Sequence, residues 1–421
     1  MARARSAART TFMSLRTRNY RLFFFCQLIS QIGNWLTMVA LTLLVLHATK
    51  SGVAVGALVA CQYGPILLIG AYGGLIADRS DKRLLLIITQ TLQMAQSFTL
   101  AALAFMHHPP LIAFYVTALA GGLILSFDNP ARRSFVSEMV PPEQLHNAVT
   151  LNTAQMTSAR VVGPALAGVL VMTAGYAWTF AIDALSYIVV IGGYVLMRKR
   201  ELFQVPKSAR AKGQVREGLR YVRTVRELYV PMVMVAIIGI FAFNFTVTLP
   251  LFVVRSLHGS DGTYTVVYAV LSVGSLAAAL KAAHRPSHEV PQLVRGAFLF
   301  GAAMLLFALT PSLLGVFPVA LFVGFASITF MTGATAIMQV RSDPSMRGRV
   351  LALQSIVLVG SSPIGGPLLG WACDQFGARA GVAIGGVGAI SAGLWGRAEC
   401  RRPLHADDPA GLRSEVATAN A

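Results

Sequence analysis

Charge is scarce in this chain. Asp, Glu, Lys and Arg make up 12% of its 421 residues, about half the share of an ordinary soluble domain. Acidic residues are the scarcer kind, 17 against 35 basic, which leaves a net charge of +18. Cysteine is nearly missing. Cys26, Cys61, Cys373 and Cys400 are scattered, which excludes a disulfide framework and shows no metal-ligand spacing. His107 and His108 are adjacent, but they precede Pro109 and Pro110 and read as loop residues. No Gly-x-x-x-x-Gly-Lys-Ser/Thr stretch occurs. That removes a self-powered pump and leaves an ATPase partner open. Nucleophiles, bases and metal ligands gather at neither membrane face. The chain therefore does not read as a membrane enzyme, and no cofactor or metal is expected.

What the chain has in quantity is apolar sequence, 55% of its residues, with 38 glycines. Twelve apolar runs are expected near 22–47, 53–76, 84–106, 111–129, 148–173, 178–197, 230–254, 263–282, 292–310, 313–337, 347–371 and 379–396. Each can span the ~30 Å of a bilayer's hydrocarbon at 1.5 Å per residue. In lipid a segment must pair its own backbone groups, so the runs must be helices. The expected class is an all-α integral membrane protein, because one soluble domain seldom builds a core of this size.

Positive charge alternates between the gaps. It crowds at Arg3 to Arg21, at Arg79, Lys82 and Arg83, at Arg132 and Arg133, from Arg198 to Arg226, at Arg341 to Arg349 and at Arg397 to Arg402. The opposite gaps hold Lys50, Arg255 and Arg379. This is the Lys/Arg bias of cytoplasmic loops, so both termini are expected in the cytoplasm and the protein in the plasma (inner) membrane. An even number of spans requires the same sidedness. The charge lies on no single stripe, so a lipid partner is expected and a nucleic acid is not.

The chain reads as two halves. A tail over 1–21 precedes a six-helix bundle over 22–197. A basic linker over 198–229 carries Pro206 and Gly213, and a second six-helix bundle covers 230–396. In the linker, Leu219, Val222, Val225 and Leu228 recur at helical spacing, which predicts an amphipathic helix on the membrane surface from Glu217 to Tyr229. The polar segment 397–421 is expected to be a disordered cytoplasmic tail. Gly163-Pro164-Ala165-Leu166-Ala167-Gly168 recurs as Gly366-Pro367-Leu368-Leu369-Gly370-Trp371, an offset of 366 minus 163, or 203. Such a parallel repeat is a transporter plan with its binding site at the repeat interface.

Gly73-Gly74-Leu75-Ile76-Ala77-Asp78-Arg79-Ser80-Asp81-Lys82-Arg83 joins the second and third runs. Gly74, Asp78, Arg79, Lys82 and Arg83 match the signature loop of the major facilitator superfamily, and the chain resembles that family. Asp81 stands where the pattern's second glycine usually falls. The resemblance implies twelve helices in two bundles, and a loop that latches against the eleventh helix to control switching between states. Gly163, Pro164 and Gly168 resemble the family's antiporter motif in helix five, which implies export; a Pro-kinked packing site is the plainer reading. Residues Asp128 to Arg133, Glu138 to Pro142, and Arg16 to Gln31 resemble the branch of macrolide-efflux and enterobactin-type siderophore exporters.

Three ionisable groups fall inside or at the end of apolar runs: Asp183, Arg160 and Asp128. Charge at that depth is costly and marks a functional candidate. Asp183 either carries a coupling proton or is structural. Arg160 either pairs with Asp183 or Asp128, or lines an anion-attracting cavity. Gln27, Gln31 and Asn34 share one face of the first helix. With Gln62, Gln93, Gln96 and Asn244 they are expected to line a substrate cavity, or else to bond between helices. The expected function is a proton-coupled secondary exporter of a drug-like or siderophore-like molecule. An importer or a non-transporting sensor are the rivals. Oligomeric state is not legible.

Overall fold

The computed structural model describes residues 12–203, 214–284 and 289–401. The expectations for Arg3, Arg5, Arg9, Pro206, Gly213 and most of the C-terminal tail lie outside the described residues. Among the described residues the chain is helical and contains no strand.

The first four spans are α1 (Arg18–Thr49), α2 (Gly52–Arg79), α3 (Lys82–Phe105) and α4 (Leu111–Met139). The stretch Leu145–Val195 follows without a loop, yet its backbone leaves helical geometry at Gly175, with φ +83° and ψ 175°. Such angles suit glycine, which has no Cβ to clash. We call the arm before Gly175 α5 and the arm after it α6. Pro164 lies inside α5 with helical φ/ψ, and the backbone departure is eleven residues further on, at Gly175. Eleven helical stretches among the described residues are long and apolar enough to cross a bilayer. Two arms in the 51-residue stretch make twelve.

The second half holds α8 (Arg226–Phe241), α9 (Phe245–Leu251), α10 (Asp261–His284), α11 (Val290–Leu309), α12 (Leu313–Arg341), α13 (Arg347–Phe376) and α14 (Ala378–Arg401), with α7 (Gln214–Thr224) ahead of them in the linker. Together α8 and α9 form one span, broken at 242–244 and closed by a π-helical turn over Phe252–Ser256. Large apolar side chains lie bare on the outer faces, Leu68 at 82% and Leu314 at 83% exposure. Bare apolar surface on helices this long and apolar suits a lipid surrounding.

Two boundaries differ from expectation. The fourth helix does not end at residue 129 but continues to Met139, taking Arg132 into the protein at 6% exposure. Asp128 and Arg132 are four residues apart and pair with one another, which lets both charges stay in a helix. The linker helix stops at Thr224, because Val225 turns extended and Arg226 starts the next helix. It does not lie on protein-free membrane surface along its length: Tyr221 donates to Asp343 at 3.0 Å and Glu217 pairs with Arg349 at 2.7 Å.

The chain forms two compact units. One comprises Met1–Lys50, Ala57–Ala209 and Ser260–Ala269; the other comprises Ser51–Gly56, Arg210–Gly259 and Val270–Ala421. Each unit thus holds the first turns of one helix from the opposite half, and each clamps them with its Gly-Pro copy. In the N-terminal unit, Gly168 of α5 abuts Thr265 of α10 so closely that a Cβ would collide with it. Asp261 accepts from the Tyr176 hydroxyl at 3.0 Å and meets His47 at 3.5 Å. In the C-terminal unit, Gly366 and Gly370 of α13 meet the backbone of Gly56 and Gly52.

The carboxylate of Asp374 caps that second clamp. It accepts from Gly52 N at 2.7 Å, Val53 N at 2.9 Å and Ser51 Oγ at 2.8 Å, and pairs with Arg255 at 2.7 Å. It satisfies backbone donors that α2 leaves free at its N-terminus. Replacing Asp374 with Ala is expected to cost about 1–2 kcal/mol, the usual penalty for a lost cap. Replacement by Asn should cost less, because one acceptor remains. Thermal unfolding of the two purified variants checks the order.

Candidate functional site

Asp183 lies in α6, two turns past the break at Gly175, and is completely buried. Its Oδ2 accepts from Thr37 Oγ1 of α1 at 2.5 Å and from Ser97 Oγ of α3 at 2.7 Å. Its Oδ1 has no hydrogen-bond partner. That oxygen sits against Gly33, where any Cβ would strike it. The polar face of α6 is narrower than its residue types suggest. Thr179 and Ser186 spend their hydroxyls on the carbonyls of Gly175 and Asp183 in their own helix. Among the described residues no Lys or Arg forms an ion pair with Asp183.

A cavity of about 20 Å³ opens beside this carboxyl. That is room for roughly one water molecule. Asn34, Gln62, Gln93, Gln96 and Tyr187 are among its walls. The structure therefore brings four of the expected cavity residues, Asn34, Gln62, Gln93 and Gln96, to Asp183. Gln31 reaches Asn34 only through a 3.4 Å contact. Gln27 does not join them. It is buried elsewhere and donates to the Tyr194 hydroxyl. Asn244 also has another task, since its amide donates to the carbonyls of Gly239 and Ile240 at 3.1 and 2.8 Å. It satisfies acceptors freed by the break before α9.

Asp128 anchors a second polar cluster. It is fully buried, pairs with Arg132, and accepts from Thr89 Oγ1 at 2.7 Å and Gln90 Nε2 at 3.0 Å. Gln90 also donates to Gln93 at 3.2 Å and accepts from Ser30 at 3.1 Å. Because Gln93 lines the Asp183 cavity, one line of hydrogen-bonding groups runs from Arg132 to that cavity.

The expected pairing of Arg160 with Asp183 or Asp128 is not found. Arg160 occupies the middle of α5, hydrogen-bonds Tyr268, and leaves its Nε without a partner. The carboxylates are taken by nearer groups: hydroxyls for Asp183, and Arg132 on the same helix for Asp128. Gly163, one turn beyond Arg160, presses against Trp35.

In the loop before α3, the chain's departure from the family pattern has a structural use. Asp81 is the N-cap of α3 and accepts from Leu84 N at 3.0 Å. Partial burial opposes its ionisation, but that bond and Lys199 at 3.4 Å hold its carboxyl below the usual range. Lys82 pairs with Glu138 at the end of α4. Arg83 donates to the carbonyls of Tyr194 and Val195 at 2.6 and 2.7 Å, closing the C-terminus of α6. Gly74 is buried, Asp78 half-buried and Arg79 exposed.

Twelve helices in two units, with polar groups buried inside one of them, define a secondary transporter of the major facilitator fold. The chain belongs to the transmembrane secretion effector family of that superfamily, whose model matches residues 9–411. It is 23% identical to the staphyloferrin A transporter of Staphylococcus aureus, over 88% of this chain and 93% of that protein. It is 25% identical to the enterobactin exporter EntS of Citrobacter koseri, over 89% and 90%. Among solved structures, a bacterial homolog of the human lysosomal transporter Spinster, inward-facing and occupied, superposes with a TM-score of 0.74 at 13% identity, covering 92% of this chain and 97% of that one. A POT family transporter gives 0.74 at 10% identity, covering 90% and 95%. These structures share the fold.

Proposed function

We propose that this protein exports a small siderophore-like organic molecule in exchange for protons, and that Asp183 is the group that takes and releases the proton. One observation carries the coupling reading: a wholly buried carboxyl is held by two hydroxyls, has a bare second oxygen, and borders a water-sized cavity. No cation of the described residues balances its charge, so a proton is the charge on hand to do so. Thr37 and Ser97 come from different helices than Asp183. A change in packing among α1, α3 and α6 would therefore alter how well the ionised form is held. The names of the relatives support a siderophore-like solute, and the Lys/Arg distribution supports cytoplasmic termini in the inner membrane.

Everted membrane vesicles from cells expressing the protein test the function. Energised vesicles offered enterobactin or staphyloferrin A are expected to accumulate one of them, and a protonophore is expected to abolish the accumulation. Accumulation by right-side-out vesicles instead would mean import. Accumulation untouched by the protonophore would remove protons from the cycle.

A further inference from the structure

We infer that Arg160, with Trp35, Tyr63 and Tyr268, forms the recognition site for an organic anion whose acidic oxygens are borne on or beside a flat ring. The inference rests on the reading of the chain as a solute transporter and names the chemistry of its solute.

The guanidinium comes first. Arg160 is the fifteenth residue past the start of α5, far from either helix end, and it is only half-buried. A permanent cation at this depth is expensive unless it faces a cavity or a partner. Among the described residues it has no carboxylate partner; its one hydrogen-bonded neighbour is the neutral Tyr268, and its Nε is unpartnered. Arg cannot shed its proton to escape the cost. An incoming carboxylate is the partner that matches a planar fork of donors best.

Aromatic surface surrounds it. The Trp35 and Tyr268 rings are 5.5 Å apart, centre to centre. Tyr63 is within electrostatic reach of both Arg160 and Tyr268. Trp35 and Tyr63 are half-buried as residues. One turn before Tyr268, the Tyr264 hydroxyl is buried with no partner, a further donor in reserve. Rings next to a cation take a flat, electron-rich solute better than a flexible aliphatic one.

The place of the cluster fits exchange. Trp35 and Tyr63 directly follow Asn34 and Gln62, which line the Asp183 cavity. Consecutive residues of a helix point about 100° apart at nearly one height. The Arg160 cluster and the Asp183 cavity therefore use adjoining faces of α1 and α2 at one depth. A bound anion at Arg160 and a proton on Asp183 are then close enough to sense one another.

The test is isothermal titration of the purified full-length protein in detergent, with no gradient present. The probes are 2,3-dihydroxybenzoate (ring and carboxylate), citrate (carboxylates alone), catechol (ring alone) and the cation tetraphenylphosphonium. The wild type should bind 2,3-dihydroxybenzoate most tightly. Arg160→Gln should weaken it at least tenfold and Arg160→Lys less. Trp35→Ala should weaken 2,3-dihydroxybenzoate more than citrate. The exposed Arg21→Gln serves as the control and should change nothing. If Arg160→Gln fails to fold, Arg160→Lys carries the comparison at matched melting temperature. Unaltered binding in the Arg160 variants, no binding of 2,3-dihydroxybenzoate by the wild type, or preference for tetraphenylphosphonium would overturn the site. Because binding needs no gradient, these outcomes are separate from failure of proton coupling, which shows only in flux.

Discussion

Asp183→Asn is expected to reduce proton-driven accumulation in sealed vesicles to the level of empty ones. Asparagine keeps the shape of the side chain and an acceptor for Thr37 and Ser97, but it has no proton to release. The substitution therefore separates chemistry from packing. If Asp183 were a structural residue, bonded to the same hydroxyls and permanently neutral, Asn would replace it at little cost and uphill transport would continue. Stability should change by about 1 kcal/mol, the worth of hydrogen bonds that stay in place with altered strength. Solute–solute exchange, which needs no net proton movement, should fall by much less than accumulation. Full gradient-dependent accumulation by Asp183→Asn would eliminate this carboxyl as the coupling group.

Arg132→Met is expected to be the most destabilising single change in the N-terminal unit, by about 3–5 kcal/mol, the cost of stranding one member of a buried ion pair. Asp128 would remain in the protein interior with only Thr89 and Gln90 to hold its charge. The double variant Asp128→Asn with Arg132→Met should recover much of the loss, because the stranded charge goes with its partner. Thermal unfolding of both in the same detergent measures the recovery. Equal melting temperatures for wild type and Arg132→Met would mean that the pair contributes nothing. The line from Asp128 through Gln90 and Gln93 also ends at the Asp183 cavity, so the single variant should lower flux even where it remains folded.

The helices were legible because lipid demands unbroken apolar runs, and the expected gap over 174–177 brackets the true break at Gly175. Charge misled at α4. Arg132 and Arg133 looked like loop residues by hydropathy, although the spacing from Asp128 to Arg132 already held the signal of an internal pair. Asp183 was legible as an outlier, one carboxylate deep in an apolar run. Its partners were not. Thr37 and Ser97 are two hydroxyls among many, and nothing in a single chain says which turn of one helix stands level with which turn of another. The same limit explains Gln27. Its spacing puts it on one face with Gln31 and Asn34, but it sits two turns away in height and meets Tyr194 instead of the cavity. Arg160 and Tyr268 come from opposite halves of the chain, 108 residues apart (268 minus 160), and only folding joins them.

Proton release on solute binding, read in weakly buffered solution with purified protein and the solute that everted vesicles accumulate, bears most directly on whether solute and proton use this unit in turn. By linkage, a solute that binds the ionised form of Asp183 better must displace a proton. The wild type should release protons on binding solute, up to one per solute as the solution is made mildly acidic, and Asp183→Asn should release none. No release by the wild type, or equal release by both proteins, would contradict exchange at Asp183.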